Sequence, residues 1–242
     1  MRYEEDAFGQ ALKDYLQGNE VFEIIERDDG YIDATKSVGD YLAEFEEWPE
    51  IQQDAMGYVE GYVLDIGCGP GKHSLYLKEE GYEVLGIDVS QIVLEICKER
   101  GLDNVKNMSI SEIDEDTDTF DTILMLGNNF GLLESPEKAK DYLERFYQAT
   151  SDDARVIAES RDVHDTDNEF HKQYQENNIE EGKFPGELRI RNRYKGYCTP
   201  WYNYLMVSKE EMEDILEETD WYVDKFLDED SPQYIAIIKK ES

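Results

Sequence analysis

The sequence predicts an α/β fold, a doubly wound and mostly parallel sheet with helices on both faces. Three observations carry that expectation. From about residue 60 short β-branched runs alternate with amphipathic stretches, a glycine-rich turn follows the first run, and Ile123-Leu124-Met125-Leu126 is wholly apolar. Alternating βα units build parallel sheets, and a central strand buried on both sides reads as an unbroken apolar run.

Each element has its own signal. Tyr62 to Ile66 reads as the first strand, residues 67–71 as a tight turn, and Lys72 to Glu80 as a helix stopped by Gly81. Glu83 to Ile87 is the second strand, after which Ser90 caps a helix with Ile92, Val93 and Ile96 on one face. The third strand is expected at Asn104 to Met108 and the fourth at Phe120 to Leu126. Ser135-Pro136 starts a helix carrying Ala139, Tyr142, Leu143 and Phe146, and Arg155 to Glu159 is the fifth strand. After a polar segment, 163–186, strands are expected at Glu187 to Tyr194 and Trp201 to Val207 around a Cys198-Thr199-Pro200 turn. Ser208 and Glu211 form a capping box, and Trp221 to Leu227 and Gln233 to Lys239 close the chain as an antiparallel pair. Residues 1–58 read as a mostly helical, polar cap.

Composition narrows the function. The 242 residues hold 58 Asp and Glu against 24 Lys and Arg, a formal charge of −34. Such a field repels phosphate backbones and anionic lipid, so neither nucleic acid nor membrane is an expected partner. An acidic surface of this kind suits a salt-rich cytoplasm that screens its self-repulsion, and a cytoplasmic, halophilic protein is expected. Cys68, Cys97 and Cys198 are odd in number and lack ligand spacing, so neither a disulfide framework nor a metal site is expected.

The chemistry sits in Val63-Leu64-Asp65-Ile66-Gly67-Cys68-Gly69-Pro70-Gly71, followed by Gly86-Ile87-Asp88-Val89-Ser90. Glycines after a first strand let backbone approach a ligand, and an acidic residue ending the second strand accepts ribose hydroxyls. Nicotinamide dinucleotides and S-adenosylmethionine both need that arrangement. A dinucleotide fingerprint wants glycine at position 72, where this chain has Lys72, and Asp65 suits a cationic ammonium better than a pyrophosphate.

At these residues the chain resembles the class I S-adenosylmethionine-dependent methyltransferases, over roughly residues 60–160. The resemblance implies a Rossmann-like seven-stranded sheet with an antiparallel last strand, and S-adenosylmethionine as cofactor with S-adenosylhomocysteine as product. It implies that Gly67, Gly69 and Gly71 line the methionine part, that Asp65 faces its amino group through solvent or backbone, and that Asp88 takes the ribose hydroxyls. Cys68, Leu126 and Gly127 join them as cofactor-lining positions. Many members carry an acidic residue near the adenine amine after the third strand. Here that segment is Asn107-Met108-Ser109-Ile110-Ser111, so the apolar faces of Val89 and Ile110 are expected to hold the ring, with Ser109 or Ser111 as polar partner.

Leu126-Gly127-Asn128-Asn129-Phe130 is similar to the acceptor segment of small-molecule N-methyltransferases such as those acting on glycine. Asn128 and Asn129 are therefore expected against the acceptor or cofactor, or as a plain strand end. An N-terminal segment closes over the cofactor in related enzymes, and the resemblance nominates Arg27 and Tyr31 to reach its carboxylate. Methyl transfer is an in-line displacement that positioning alone largely accelerates, so no base is obligatory. His164 and His171 are the candidates if one is used, and His73 reads as a packing residue.

Arg189, Arg191, Arg193 and Lys195 alternate and would share one strand face. They read as an anion site, or as a face paired with the chain's own carboxylates. Arg191, Arg193 and Trp201 are the candidates there for substrate binding, within a cluster of Tyr194, Tyr197, Tyr202 and Tyr204 that suits a cation or merely packs the hairpin. The expected organisation is a cap, 1–58, a cofactor-binding core, 59–162, a substrate-side insertion with a hairpin, 163–207, and the remaining core, 208–242. The expected activity is methyl transfer to a small molecule. The alternatives are a non-catalytic cofactor-binding sensor or partner protein, and an NAD(P)-dependent oxidoreductase.

Overall fold

A computed structural model describes residues 1–35, 37–114 and 116–241. In chain order its elements are α1 (Ala7–Leu16), β1 (Glu23–Arg27), β2 (Ile32–Thr35), α2 (Glu50–Met56), β3 (Val63–Ile66), α3 (Lys72–Glu79), β4 (Val84–Asp88), α4 (Gln91–Glu99) and β5 (Val105–Asn107). They continue as β6 (Phe120–Met125), α5 (Pro136–Gln148), β7 (Thr150–Arg161), α6 (Glu169–Glu180), β8 (Glu187–Tyr194), β9 (Tyr197–Cys198), β10 (Tyr202–Leu205), α7 (Lys209–Leu216), β11 (Trp221–Asp228) and β12 (Gln233–Lys240). Short 3-10 turns fill several connections.

Seven strands form one sheet in the order β11-β12-β7-β6-β3-β4-β5. β6 is parallel to β7 and β4 to β5, whereas the last strand, β12, is antiparallel to both β7 and β11. This is the Rossmann-like arrangement expected. β12 shows why it occupies the interior: Tyr234, Ile235, Ala236, Ile237 and Ile238 are all buried, so both its faces are covered.

Local signals end the helices where expected. The Ser90 hydroxyl accepts the Val93 N–H at 3.0 Å, Ser135 accepts the Lys138 N–H with Pro136 at the first position of α5, and Ser208 and Glu211 cap α7 reciprocally. No helix among the described residues is long and apolar enough to cross a membrane.

The N-terminal region departs from the mostly helical cap expected. Besides α1 and α2 it holds the hairpin β1–β2, and β1 pairs antiparallel with β8 in a second sheet of order β10-β8-β1-β2, with β9 also on β8. The hairpin expected after the fifth strand thus forms, but as half of a sheet completed by N-terminal strands. The physical reason is long-range pairing. Glu23-Ile24-Ile25-Glu26-Arg27 is too short and charged to announce a strand by its own periodicity, and its partner lies about 165 positions away.

The chain divides into two compact units. One contains residues 1–48, 65–109 and 189–202; its core joins Ala7, Ala11 and Leu12 of α1 to Ile92, Val93 and Ile96 of α4, with Tyr194. The other contains 49–64, 110–188 and 203–242; there Trp221 is buried and donates its indole N–H to the Leu143 carbonyl at 3.0 Å.

Candidate cofactor and acceptor sites

β3 delivers the chain into a turn that only glycine builds without strain. Gly67, Gly69 and Gly71 have φ of 68°, 54° and 86°, the left-handed region that penalises a Cβ. The three differ in surroundings. A Cβ on Gly71 would lie 3.2 Å from Leu102, so that glycine also serves packing, whereas a Cβ on Gly69 would meet nothing within 4 Å. Gly69 therefore presents bare backbone to open space.

The turn is held from several sides. Its Gly69 N–H donates to Asp88 Oδ2 at 3.2 Å, the Cys97 thiol donates to the Gly69 carbonyl at 3.0 Å, and Arg100 Nη1 donates to the Pro70 carbonyl at 2.7 Å. Asp88 ends β4, and its other oxygen accepts the Ser90 N–H at 2.8 Å. The carboxylate also takes a backbone bond from Val89 and keeps acceptor capacity beyond these contacts, which suits a ligand hydroxyl. Burial pushes its pKa up to about 6, against the pull of the Ser90 and Gly69 N–H bonds.

Asp65 differs in role. It is buried and accepts the Ser74 hydroxyl of α3 at 2.5 Å, and burial pushes its pKa up to about 7. Its carboxyl thus ties the end of β3 to α3 across the turn. Cys68 is buried with Leu94, Cys97 and Leu102, and Leu126 is buried too, so these positions offer backbone and not side chain. Val89 is 40% exposed, leaving an apolar face open beside Asp88, while Ser109 and Ile110 are half-buried after β5.

Arg27 closes the β1–β2 hairpin. Its guanidinium makes a bidentate pair with Asp29, Nε at 2.9 Å and Nη2 at 2.7 Å, and lies 5.0 Å from the Tyr31 ring centre. The hairpin itself thus gathers both nominated residues. His73 is buried edge-on against Trp48 at 4.8 Å, and burial, with the Lys72 charge, lowers its pKa to about 3. It packs as a neutral ring.

β6 ends at Met125, and after Leu126 come Gly127 and Asn128, consecutive left-handed residues with φ of 74° and 63°. Gly127 donates its N–H to Glu159 Oε2 at 2.8 Å, and the Asn128 carbonyl accepts the Tyr204 hydroxyl at 2.6 Å. Asn129 begins the 3-10 turn Asn129–Leu133. His164 is exposed, with Nε2 3.3 Å from Glu211 Oε1, and His171 Nδ1 is 3.4 Å from Thr166 Oγ1.

On β8 Arg191 and Arg193 meet one of the chain's own carboxylates. Arg191 grips Glu26 through Nε and Nη2, both at 3.0 Å, and Arg193 Nη1 adds a third bond at 3.0 Å. Arg191 also stacks over Trp201, 4.4 Å from its ring centre. Lys195 leaves the alternation: it lies beyond β8 with φ of 50° and pairs with Asp14. Among the described residues no group of three or more His, Cys, Asp or Glu is placed to hold a metal.

Sequence reasoning did not single out Arg100, Gln52 or Glu159, and it read Cys97 only as a cysteine without ligand spacing and Tyr204 only as one of an aromatic cluster. Glu159 alone left a signal, a carboxylate ending an apolar strand, because acidic residues are rarely buried without a partner.

Comparison with known proteins bears on this geometry. The methyltransferase domain family matches residues 63–153. A glycine N-methyltransferase of Mus musculus is 34% identical over 84 residues, 29% of this chain and 29% of that one. A 2-heptyl-1-hydroxyquinolin-4(1H)-one methyltransferase of Mycobacteroides abscessus is 43% identical over 53 residues, 20% of this chain and 23% of that one. The chain therefore spans less than a third of either relative. A crystal structure of an S-adenosylmethionine-dependent methyltransferase from Bacteroides fragilis in complex with S-adenosylhomocysteine superposes with a TM-score of 0.85 at 23% identity, covering 100% of this chain and 98% of that one. Residues 63–153 thus match the methyltransferase domain family, and the chain, with its glycine-rich turn and antiparallel last strand, shares the Rossmann-like fold of the Bacteroides fragilis enzyme.

Proposed function

We propose that this chain methylates a small molecule with S-adenosylmethionine as donor. The observation that carries the reading is the open backbone at Gly69, with the Asp88 carboxylate hydrogen-bonded to that same residue. The structural neighbour from Bacteroides fragilis holds S-adenosylhomocysteine, and the relatives above are named for a free amino acid and a quinolone, which supports a small acceptor.

In this reading the cofactor supplies an electrophilic methyl group on a sulfonium sulfur. Asp88 accepts the ribose hydroxyls with the lone pairs its backbone contacts leave free. Residues 67–71 lie along the methionine part, with Asp65 bracing them through Ser74. Val89 and Ile110 flank the adenine, and Ser109 is its polar partner. For Arg27 to bind a cofactor carboxylate, the ligand replaces Asp29 in the same bidentate geometry. Asn128 and Asn129 orient the acceptor, and a proton released from it passes to solvent or to His164 or His171. Arg191 and Arg193 act in binding only through release of Glu26.

Calorimetry with S-adenosylhomocysteine, followed by its accumulation over a panel of amines, phenols, thiols and carboxylic acids, tests the reading. Binding with turnover supports it. Tight binding with no turnover on any class leaves a cofactor-binding sensor, and heat stabilisation by NAD(P) with none by S-adenosylmethionine replaces it with an oxidoreductase.

A further inference from the structure

The backbone of the turn after β6 is fastened from two sides. Glu159, buried near the end of β7, receives on its Oε2 both the Gly127 N–H at 2.8 Å and Gln52 Nε2 of α2 at 2.7 Å. Gln52 is itself buried. The Tyr204 hydroxyl donates to the Asn128 carbonyl, and the Tyr204 ring fills the space over Gly131, where a Cβ would stand 2.3 Å from it. These contacts hold two successive left-handed residues, one of them not glycine, in a conformation an unsupported chain would relax.

Against that background one atom stands out. Asn128 Oδ1 is buried with no hydrogen-bond partner, one of only three such side-chain atoms among the described residues. A buried unpaired acceptor is costly, and a native fold keeps one chiefly where something else completes it. The bonds hold the backbone of the turn, so the freedom left to Asn128 is rotation of its side chain, which carries Oδ1 to a donor.

We infer that Glu159 is a positioning residue for the methyl acceptor: through Gly127 it fixes the turn so that Asn128 Oδ1 is offered to an N–H or O–H donor of the substrate. This rests on the methyltransferase reading above and narrows its substrate class. An acceptor that presents a hydrogen-bond donor at this point, an amine or a hydroxyl compound, satisfies the oxygen. One that presents only acceptor atoms leaves it unpaired and is rejected. Glu159 itself touches the turn and Gln52, and acts on the substrate through Asn128.

The test uses the full chain labelled with 13C,15N-asparagine, saturated with S-adenosylhomocysteine and titrated with methylammonium chloride or methanol as donor probes. The Asn128 13Cγ resonance is expected to move with at least one probe. Glu159→Ala is expected to abolish that movement, and Glu159→Gln, which keeps an oxygen for the Gly127 N–H, to restore it. Gln52→Ala removes the other partner of Glu159 and serves as the control for general destabilisation; it is expected to keep the movement. Once an acceptor is found, Glu159→Ala is expected to raise its KM at least tenfold, with a smaller change in kcat and with Glu159→Gln within about threefold of the original chain. No movement with either probe, or movement that survives Glu159→Ala, overturns the inference. Failure of S-adenosylhomocysteine to bind overturns the methyltransferase reading instead, while the Asn128 signal still reports whether the turn accepts a donor.

Discussion

Asp88 Oδ2 accepts the backbone N–H of Gly69 at 3.2 Å, so the carboxylate that ends the second parallel strand also orders the turn after the first. The side chain nominated to grip a ligand thus also helps to build the turn proposed to carry it. Such a carboxylate is oriented before binding, so little ordering remains to be done when the ligand arrives.

Replacement of Asp88 by alanine therefore removes two things at once, the ligand's acceptor and the brace on the turn. Hydrogen bonds to a charged group contribute about 1.5 to 3 kcal/mol, which corresponds to roughly a tenfold to hundredfold loss of S-adenosylhomocysteine affinity. Calorimetry on Asp88→Ala reads this directly, and an unchanged Kd would remove Asp88 from the site.

Asp65 makes folding stability depend on pH in a defined direction. Burial raises its pKa from the ordinary 3.8 to about 7 in the folded chain, so the native state holds this proton more tightly than the unfolded state does. Its contribution is fully present below about pH 4, declines as pH rises, and is lost above about pH 7. Urea unfolding of the original chain and of Asp65→Asn at pH 5 and pH 8 isolates it. Relative to the variant, the original chain is expected to lose on the order of 2 to 3 kcal/mol between those values. A difference that does not change with pH would show that Asp65 stays ionised throughout.

Gly69 and Gly101 separate backbone strain from ligand exclusion. Both have positive φ, 54° and 99°, and a Cβ on either would meet nothing within 4 Å of protein. Alanine at either position is expected to cost about 1 to 2 kcal/mol of stability by chemical denaturation. Only Gly69→Ala is expected also to weaken S-adenosylhomocysteine binding, by tenfold or more, because its methyl group enters the space the ligand needs. Equal affinities in the two variants would mean that the Gly69 side of the turn is not the cradle.

The sequence alone determined the βα order from Tyr62 to Glu159, the caps at Ser90, Ser135 and Ser208, and the placement of Asp88 at the end of its strand, but not the helix α6 inside the polar segment 163–186. It did so because apolar periodicity, hydroxyl capping and positive φ at glycine are local properties, legible within a few residues. Only the tertiary structure decided that residues 23–35 pair as strands, that Glu26 occupies Arg191 and Arg193, and that Glu159 and Tyr204 fasten the turn at Gly127 and Asn128. In each case the deciding partner lies far away in the chain: a strand forms where an edge is offered to it, and a buried carboxylate takes whichever donors folding brings to it. Lys195 makes the same point in reverse, for its alternation with Arg193 ends where the backbone turns left-handed and hands it to Asp14.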